Sequence, residues 1–69
     1  MFGPEVEAAI AAHARTEYPR EACGLVVDGA YVPVENRAQD PRANFLIPVE
    51  DTLRPGVQAI VHSHPDGDP

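Results

Sequence analysis

Apolar residues in the first part of the chain follow helical spacing. The apolar residues recur every three or four positions, as on one face of an α-helix, at Val6, Ala9 and Ile10, and the polar His13 continues the same spacing. Pro4 suits the first turn of such a helix, and Glu5 and Glu7 place negative charge near its N-terminus, where the helix dipole favours it. We therefore predict a helix that begins near Pro4 and ends near Glu17 or Tyr18, ahead of Pro19.

Short apolar runs follow the helix and predict β-strands. The run 22–27 is too short for a helix, and the pair Asp28-Gly29 behind it is a strong signal for a two-residue hairpin turn. Residues 30–34 are then predicted to form the returning strand. Pro33 has no N–H to donate to a neighbouring strand, so we expect this strand to lie at an edge of the sheet.

The second half of the chain predicts two more strands. Residues 45–47 form a short apolar run, and residues 48–56 predict a connection with one helical turn. The run 57–61 is apolar without clean alternation, which favours an interior strand. Because the sequence contains no repeat and no linker, we predict a single α+β domain over residues 1–69, with an N-terminal helix followed by short mixed β-strands.

Charge and composition exclude several classes of protein. The net charge is −6, and the five cations are arginines scattered singly along the chain, so we expect no nucleic-acid partner. No apolar run approaches the roughly eighteen residues of a membrane span, and the first residues lack the features of a secretory signal. One cysteine excludes an internal disulfide and fits a reducing compartment. We therefore expect a cytoplasmic protein.

Two histidines near the end of the sequence predict half of a metal site. His62 and His64 are two positions apart, and side chains with that spacing on an extended segment point to the same face. Pro65 keeps His64 extended, because a residue before proline avoids the α region. One divalent ion such as zinc can therefore reach both imidazoles, and a catalytic zinc usually takes one further protein ligand.

Each of these polar residues also has a purely structural interpretation. Backbone carbonyls can satisfy the two imidazoles. Asp66 and Asp68 lie within reach of the same ion, but their segment is ordinary turn composition. His13 has no second histidine four residues further on, which favours a helix histidine over a metal ligand.

Glu21 and Cys23 are candidates for the reaction chemistry. A hydrolytic metal centre needs a base beside its bound water, and a carboxylate that is not itself a tight ligand serves this role. Glu21, at the start of the first predicted strand, is either that base or a solvated surface charge. Cys23 is either a nucleophile close to the histidines or a small buried apolar residue, as its apolar neighbours favour.

Four segments of the chain occur in a recognisable order. They are Pro19-Arg20-Glu21-Ala22-Cys23-Gly24-Leu25, Glu35-Asn36, Phe45-Leu46-Ile47-Pro48 and Ile60-Val61-His62-Ser63-His64-Pro65. Together they resemble the JAMM (MPN+, Mov34/PAD-1) zinc metallopeptidases, in particular the N-terminal domain of phage tail-assembly proteins, where a JAMM domain precedes an NlpC/P60-type peptidase domain. The resemblance implies the N-terminal half of a JAMM/MPN (cytidine-deaminase-like) fold and zinc-dependent hydrolysis of amide bonds. By motif position it also implies that His62 and His64 are zinc ligands and that Glu21 is the general base.

One part of the family's motif is missing from the sequence. In the family a Ser-x-x-Asp follows, and its Asp, the third zinc ligand, would lie beyond Pro69. Ser63 is not the equivalent of the oxyanion-stabilising serine of that motif. Asp68 or the terminal carboxylate of Pro69 is available as a substitute ligand, although neither has the family's spacing. We therefore expect a fragment, a truncated gene or a chain completed by a partner, with weak zinc binding and little activity of its own.

The sequence leaves three functions open. The first is a zinc-dependent metallopeptidase or isopeptidase related to phage tail assembly, with a peptide or isopeptide substrate. The second is a non-enzymatic assembly or scaffold module that keeps the fold, and the third is a thiol enzyme that uses Cys23. Because the chain has few large side chains and its sheet edges are open to pairing, we also expect a homo-oligomer or a partner chain that completes the sheet.

Overall fold

The computed structural model describes residues 2–64, in which two helices and three strands form an α+β arrangement. In chain order they are α1 (Pro4–Glu17), β1 (Cys23–Val27), β2 (Ala30–Val34), α2 (Val49–Thr52) and β3 (Val57–His62). The predicted α+β class is therefore confirmed. Among these residues, no helix has both the length and the apolar character needed to cross a lipid bilayer.

Helix α1 has the predicted bounds and lies against β2. Pro4 occupies its first turn, and Glu5 and Glu7 lie near its N-terminus, as expected. On the side towards the sheet, the Nδ1 atom of His13 lies 2.7 Å from the hydroxyl oxygen of Tyr31. His13 is therefore a half-buried packing residue of the helix, which confirms the structural interpretation.

Strands β1 and β2 form the predicted hairpin. They pair antiparallel, and Val27 lies opposite Ala30. Asp28 and Gly29 between them have φ angles of 51° and 82°, and two consecutive positive φ values are what a type I′ turn requires. The Asp28-Gly29 signal in the sequence thus specified both the position and the type of the turn.

The sheet has the order β2-β1-β3, and both pairings are antiparallel. The strands were expected to be mixed, but no parallel pair occurs within residues 2–64. β1 is the central strand and supplies most of the core, whose fully buried side chains are Cys23, Leu25 and Val26. The prediction that residues 57–61 form an interior strand is wrong for this part of the chain, because β3 lies at an edge and Ile60 is 51% exposed.

The segment between β2 and α2 contains no strand, so the prediction of one at residues 45–47 is wrong. The backbone N–H of Arg37 donates to the carbonyl of Leu46, and the N–H of Leu46 donates to the side-chain oxygen of Asn36. These contacts bind the backbone of the segment locally and leave it outside the sheet. Helix α2 confirms the predicted helical turn.

Candidate functional site

The register between β1 and β3 places the predicted site residues on one face of the sheet. Cys23 lies opposite His62 in the ladder, and the pairing continues beyond both strand ends, because the N–H of Ser63 donates to the carbonyl of Ala22 over 2.9 Å. Side chains alternate along both segments. Glu21, His62 and His64 therefore share one face.

Helix α1 and the candidate site lie on opposite faces of the sheet. Tyr31, which contacts α1, is opposite Val26 in the ladder, whereas His62 is opposite Cys23. Positions 23 and 26 of β1 are separated by an odd number of residues, so their side chains point to opposite faces. One face of the sheet thus packs against α1, and the other face presents the polar residues of the candidate site.

Glu21 is a buried carboxylate beside His62. The residue is 6% exposed, and its Oε1 atom lies 3.4 Å from Nδ1 of His62. Nδ1 of His62 is itself buried and has no hydrogen-bond partner, so the two groups are close without a well-aligned hydrogen bond. The interpretation of Glu21 as a solvated surface charge is therefore wrong.

The imidazole of His62 is held between two other rings. The ring of Phe45 stacks on it with a centroid distance of 4.2 Å and an interplanar angle of 17°. The ring of His64 meets it edge to face at 4.5 Å. The structure therefore brings Glu21, His62 and His64 together. Phe45 lies beside them, although the sequence analysis assigned it no role in the site.

The imidazoles of His62 and His64 are ligands of a kind that zinc accepts, but a zinc site needs more than two protein ligands. Zinc accepts imidazole nitrogens, and a proton on the buried, unpartnered Nδ1 of His62 would face Glu21 and leave the lone pair on Nε2 free for a metal. Within residues 2–64, however, no three His, Cys, Asp or Glu side chains are grouped to hold an ion. The substitute ligands considered above, Asp66, Asp68 and the carboxylate of Pro69, lie outside the described residues, as does Pro65.

Cys23 shares this face but is not accessible. Its side chain is fully buried, and Sγ lies 3.6 Å from the carbonyl oxygen of Val34. Burial raises the pKa of the thiol above its ordinary value, and the carboxylates of Glu17 and Glu21 raise it further, while Arg20 opposes them. A nucleophilic cysteine needs access and a lowered pKa. The structure therefore supports the interpretation of Cys23 as a packing residue and contradicts the thiol enzyme.

Asn36 is the residue whose role the sequence analysis missed. It is 4% exposed, and its side chain hydrogen-bonds to the backbone of Glu21 and of the segment around Phe45. An asparagine in a polar stretch after a strand has the composition of an ordinary turn. Only its place in the Glu35-Asn36 pair, one of the segments that carry the family resemblance, distinguished it.

An open cleft of about 400 Å³ on the α1 side of the sheet reaches the candidate site only at His64. It lies between the last turns of α1 and the end of β3, and its lining residues are Ala14, Arg15, Tyr18, Ser63 and His64. His64 is exposed, in contrast to Glu21 and His62. The site therefore has a buried half, which contains Glu21, and a half that is open to a ligand.

Comparison with known proteins gives two matches to the sequence. The family described as prokaryotic homologs of the JAB domain matches residues 3–69. Tail tip assembly protein K of Escherichia phage N15 is 44% identical over 66 residues, a region that covers 84% of this chain and 27% of that protein. The chain thus spans only a minor part of that relative's length. No solved structure matches the chain. The family match extends over nearly the whole sequence, and the chain belongs to the prokaryotic homologs of the JAB domain.

Proposed function

We propose that this protein is a zinc-dependent hydrolase that cleaves peptide or isopeptide bonds during phage tail assembly. The observation that carries the proposal is the buried carboxylate of Glu21, placed 3.4 Å from a ring of the His62/His64 pair. Membership of the JAB family supports the reaction class. The name of the phage relative supports the setting in tail assembly.

Each side chain of the site has a defined part in this reaction. His62 and His64 would hold the zinc ion, which when bound polarises the scissile carbonyl and lowers the pKa of its water to about 7. Glu21 accepts a proton at a carboxylate oxygen during attack and returns it to the leaving amine. Phe45 fixes the plane of the His62 ring by stacking on it. The cleft beside His64 provides space for the chain of the substrate.

Zinc content and hydrolysis in three variants test this proposal. We expect about one zinc per chain in the full-length gene product by elemental analysis, and its loss in His64→Ala. In Glu21→Gln we expect the zinc to stay while hydrolysis of a fluorogenic peptide amide by the full-length gene product falls by about 10²-fold or more, because the general base is gone. His13→Ala is the matched control, since His13 contacts Tyr31 on the other face of the sheet, and it should keep its zinc.

Two results would contradict the proposal. Loss of zinc in Glu21→Gln would identify Glu21 as a ligand or a structural residue. Absence of zinc from the full-length gene product, after purification without chelators, would contradict a zinc centre at His62 and His64.

The name of the phage relative also favours a second function, a module that keeps the JAB fold for assembly alone. The two proposals differ in what His62→Ala does to the yield of infectious phage. The hydrolase requires this histidine, so complementation should fail. An assembly module that uses only its surface should complement fully, provided that the variant folds.

A further inference from the structure

The side chain of Asn36 connects two parts of the chain that both contact His62. Its Nδ2 atom donates to the carbonyl oxygen of Glu21 and to that of Asn44, each over 2.9 Å. Its Oδ1 atom accepts from the N–H groups of Ala38 and Leu46 at 3.0 and 3.1 Å. A buried primary amide with donors and acceptors all used is a rigid connection.

The groups held by this amide are those that surround His62. Asn44 and Leu46 flank Phe45, whose ring stacks on His62. Glu21 approaches the same imidazole from the other segment. Arg20 adds a return contact, because its Nη2 donates to the carbonyl oxygen of Asn36 over 2.9 Å. One side chain therefore bonds to both segments that contact the ring.

We propose that Asn36 is a positioning residue of the candidate site, which holds Glu21 and the Phe45 segment against His62 through its buried side-chain amide. The site depends on it because that segment is not a strand and has no ladder to fix it. The proposal rests on the proposed function only in so far as Asn36 matters for hydrolysis. The positioning of Glu21 and Phe45 by Asn36 does not depend on that function.

The ring current of Phe45 provides a direct measurement of this geometry. Protons of an imidazole stacked on a phenyl ring at 4.2 Å resonate upfield of their free positions. We would record the carbon-bound ring protons of His62 at one fixed pH in the wild-type protein and in Phe45→Leu, which defines the unstacked position. In Asn36→Ala these resonances should move at least halfway to that position. Circular dichroism would establish that each variant is folded.

Asn44→Ala is the matched control for that substitution. It removes the same amide group from the same segment, but the Asn44 side chain is exposed and makes no hydrogen bond within residues 2–64. Its His62 resonances should stay at the wild-type position. A folded Asn36→Ala variant whose His62 protons also stay there would overturn the proposal.

A measurement on the wild-type protein decides the matter if Asn36→Ala does not fold. The side-chain amide protons of Asn36 should exchange with solvent at least about tenfold more slowly than those of the exposed Gln39, because Asn36 is buried and doubly bonded. Equal exchange rates would show that the connection is not maintained, and would overturn the proposal. None of these readouts requires hydrolysis, so a protein with this geometry and no amidase activity would contradict the proposed function alone.

Discussion

At Gly24 the sheet has no room for a side chain. A Cβ atom at this position would lie 2.5 Å from both Cε1 and the hydroxyl oxygen of Tyr31. Tyr31 in turn reaches His13 of α1 through its hydroxyl. The absence of a side chain at one residue of the central strand therefore leaves room for the tyrosine ring, which reaches the helix through its hydroxyl.

Replacement of Gly24 by alanine should destabilise the protein through this contact. Overpacking in a well-packed region costs about 1–3 kcal/mol, and we expect a loss of that size in the free energy of unfolding, measured with urea. In a Tyr31→Ala background the same replacement should cost much less, because the ring that it displaces is absent. Equal costs in both backgrounds would show that Tyr31 is not the obstacle.

At the scale of elements, β1 and β3 stay connected beyond the ends of the strands through Ser63. Its N–H donates to the carbonyl of Ala22, and its hydroxyl oxygen accepts the N–H of Ala22 over 2.8 Å. Ala22 is 4% exposed, so its N–H depends on this hydroxyl for a partner. Because Ser63 lies between the two histidines, the same contact keeps them beside Glu21.

Replacement of Ser63 by alanine should cost about 1–3 kcal/mol of unfolding free energy, because it leaves a buried N–H unsatisfied. Ser63→Thr keeps the γ-oxygen and should recover most of that loss. Thr16→Ala is the control, since it removes an exposed hydroxyl that bonds only within its own helix, and its effect should stay within about 0.5 kcal/mol. Equal losses in the alanine and threonine variants of Ser63 would contradict the role of the hydroxyl.

The elements that the sequence predicted correctly are those determined by local signals. Pro4 and the acidic first turn located α1, and Asp28-Gly29 located the hairpin. Residues 45–47 had a strand-like composition, but Leu46 bonds to Asn36 and Arg37 within its own segment, and these bonds hold its backbone outside the sheet. Periodicity also could not show that β1, rather than β3, is the central strand.

The sequence predicted the residues of the candidate site, but it did not predict the contacts that hold those residues in place. Glu21, His62 and His64 followed from spacing, chemistry and family resemblance. The burial of Glu21, the stacking of Phe45 and the contacts of Asn36 depend on pairings between distant segments. No local pattern in one sequence encodes such pairings.

At the scale of the whole molecule, two weakly acidic side chains, the half-buried Tyr31 and the buried Cys23, lower the free energy of unfolding as the solution becomes alkaline. Burial raises the pKa of Tyr31 to about 12 from its ordinary 10.0, with smaller contributions from Cys23 and Glu17. Burial also raises the pKa of the Cys23 thiol above 9.0. In each case the unfolded chain gives up its proton at a lower pH than the folded protein does. The stability contributed by the protonated forms is therefore complete below the unfolded pKa and is lost as pH rises through the folded pKa.

The urea midpoint of unfolding should thus change little up to about pH 9 and fall between pH 10 and about pH 12. Tyr31→Phe has no phenol to ionise and should show a shallower fall over that interval. Tyr18→Phe is the matched control, because Tyr18 is 64% exposed, and should keep the wild-type slope. If Tyr31→Phe fell as steeply as the wild-type protein, Tyr31 would not be the origin of the effect.

The contact between Ala22 and Ser63 joins residues that are 41 positions apart, whereas a two-residue turn closes the β1–β2 hairpin. Loop closure takes longer and costs more entropy as the separation grows. During synthesis on the ribosome, Glu21 leaves the exit tunnel well before either histidine, because it comes about forty positions earlier in the chain. The hairpin can form at once, but the cluster around His62 assembles only after translation has passed His64. Until then one side of β1 has no strand beside it, and Glu21 has not yet met His62 and His64.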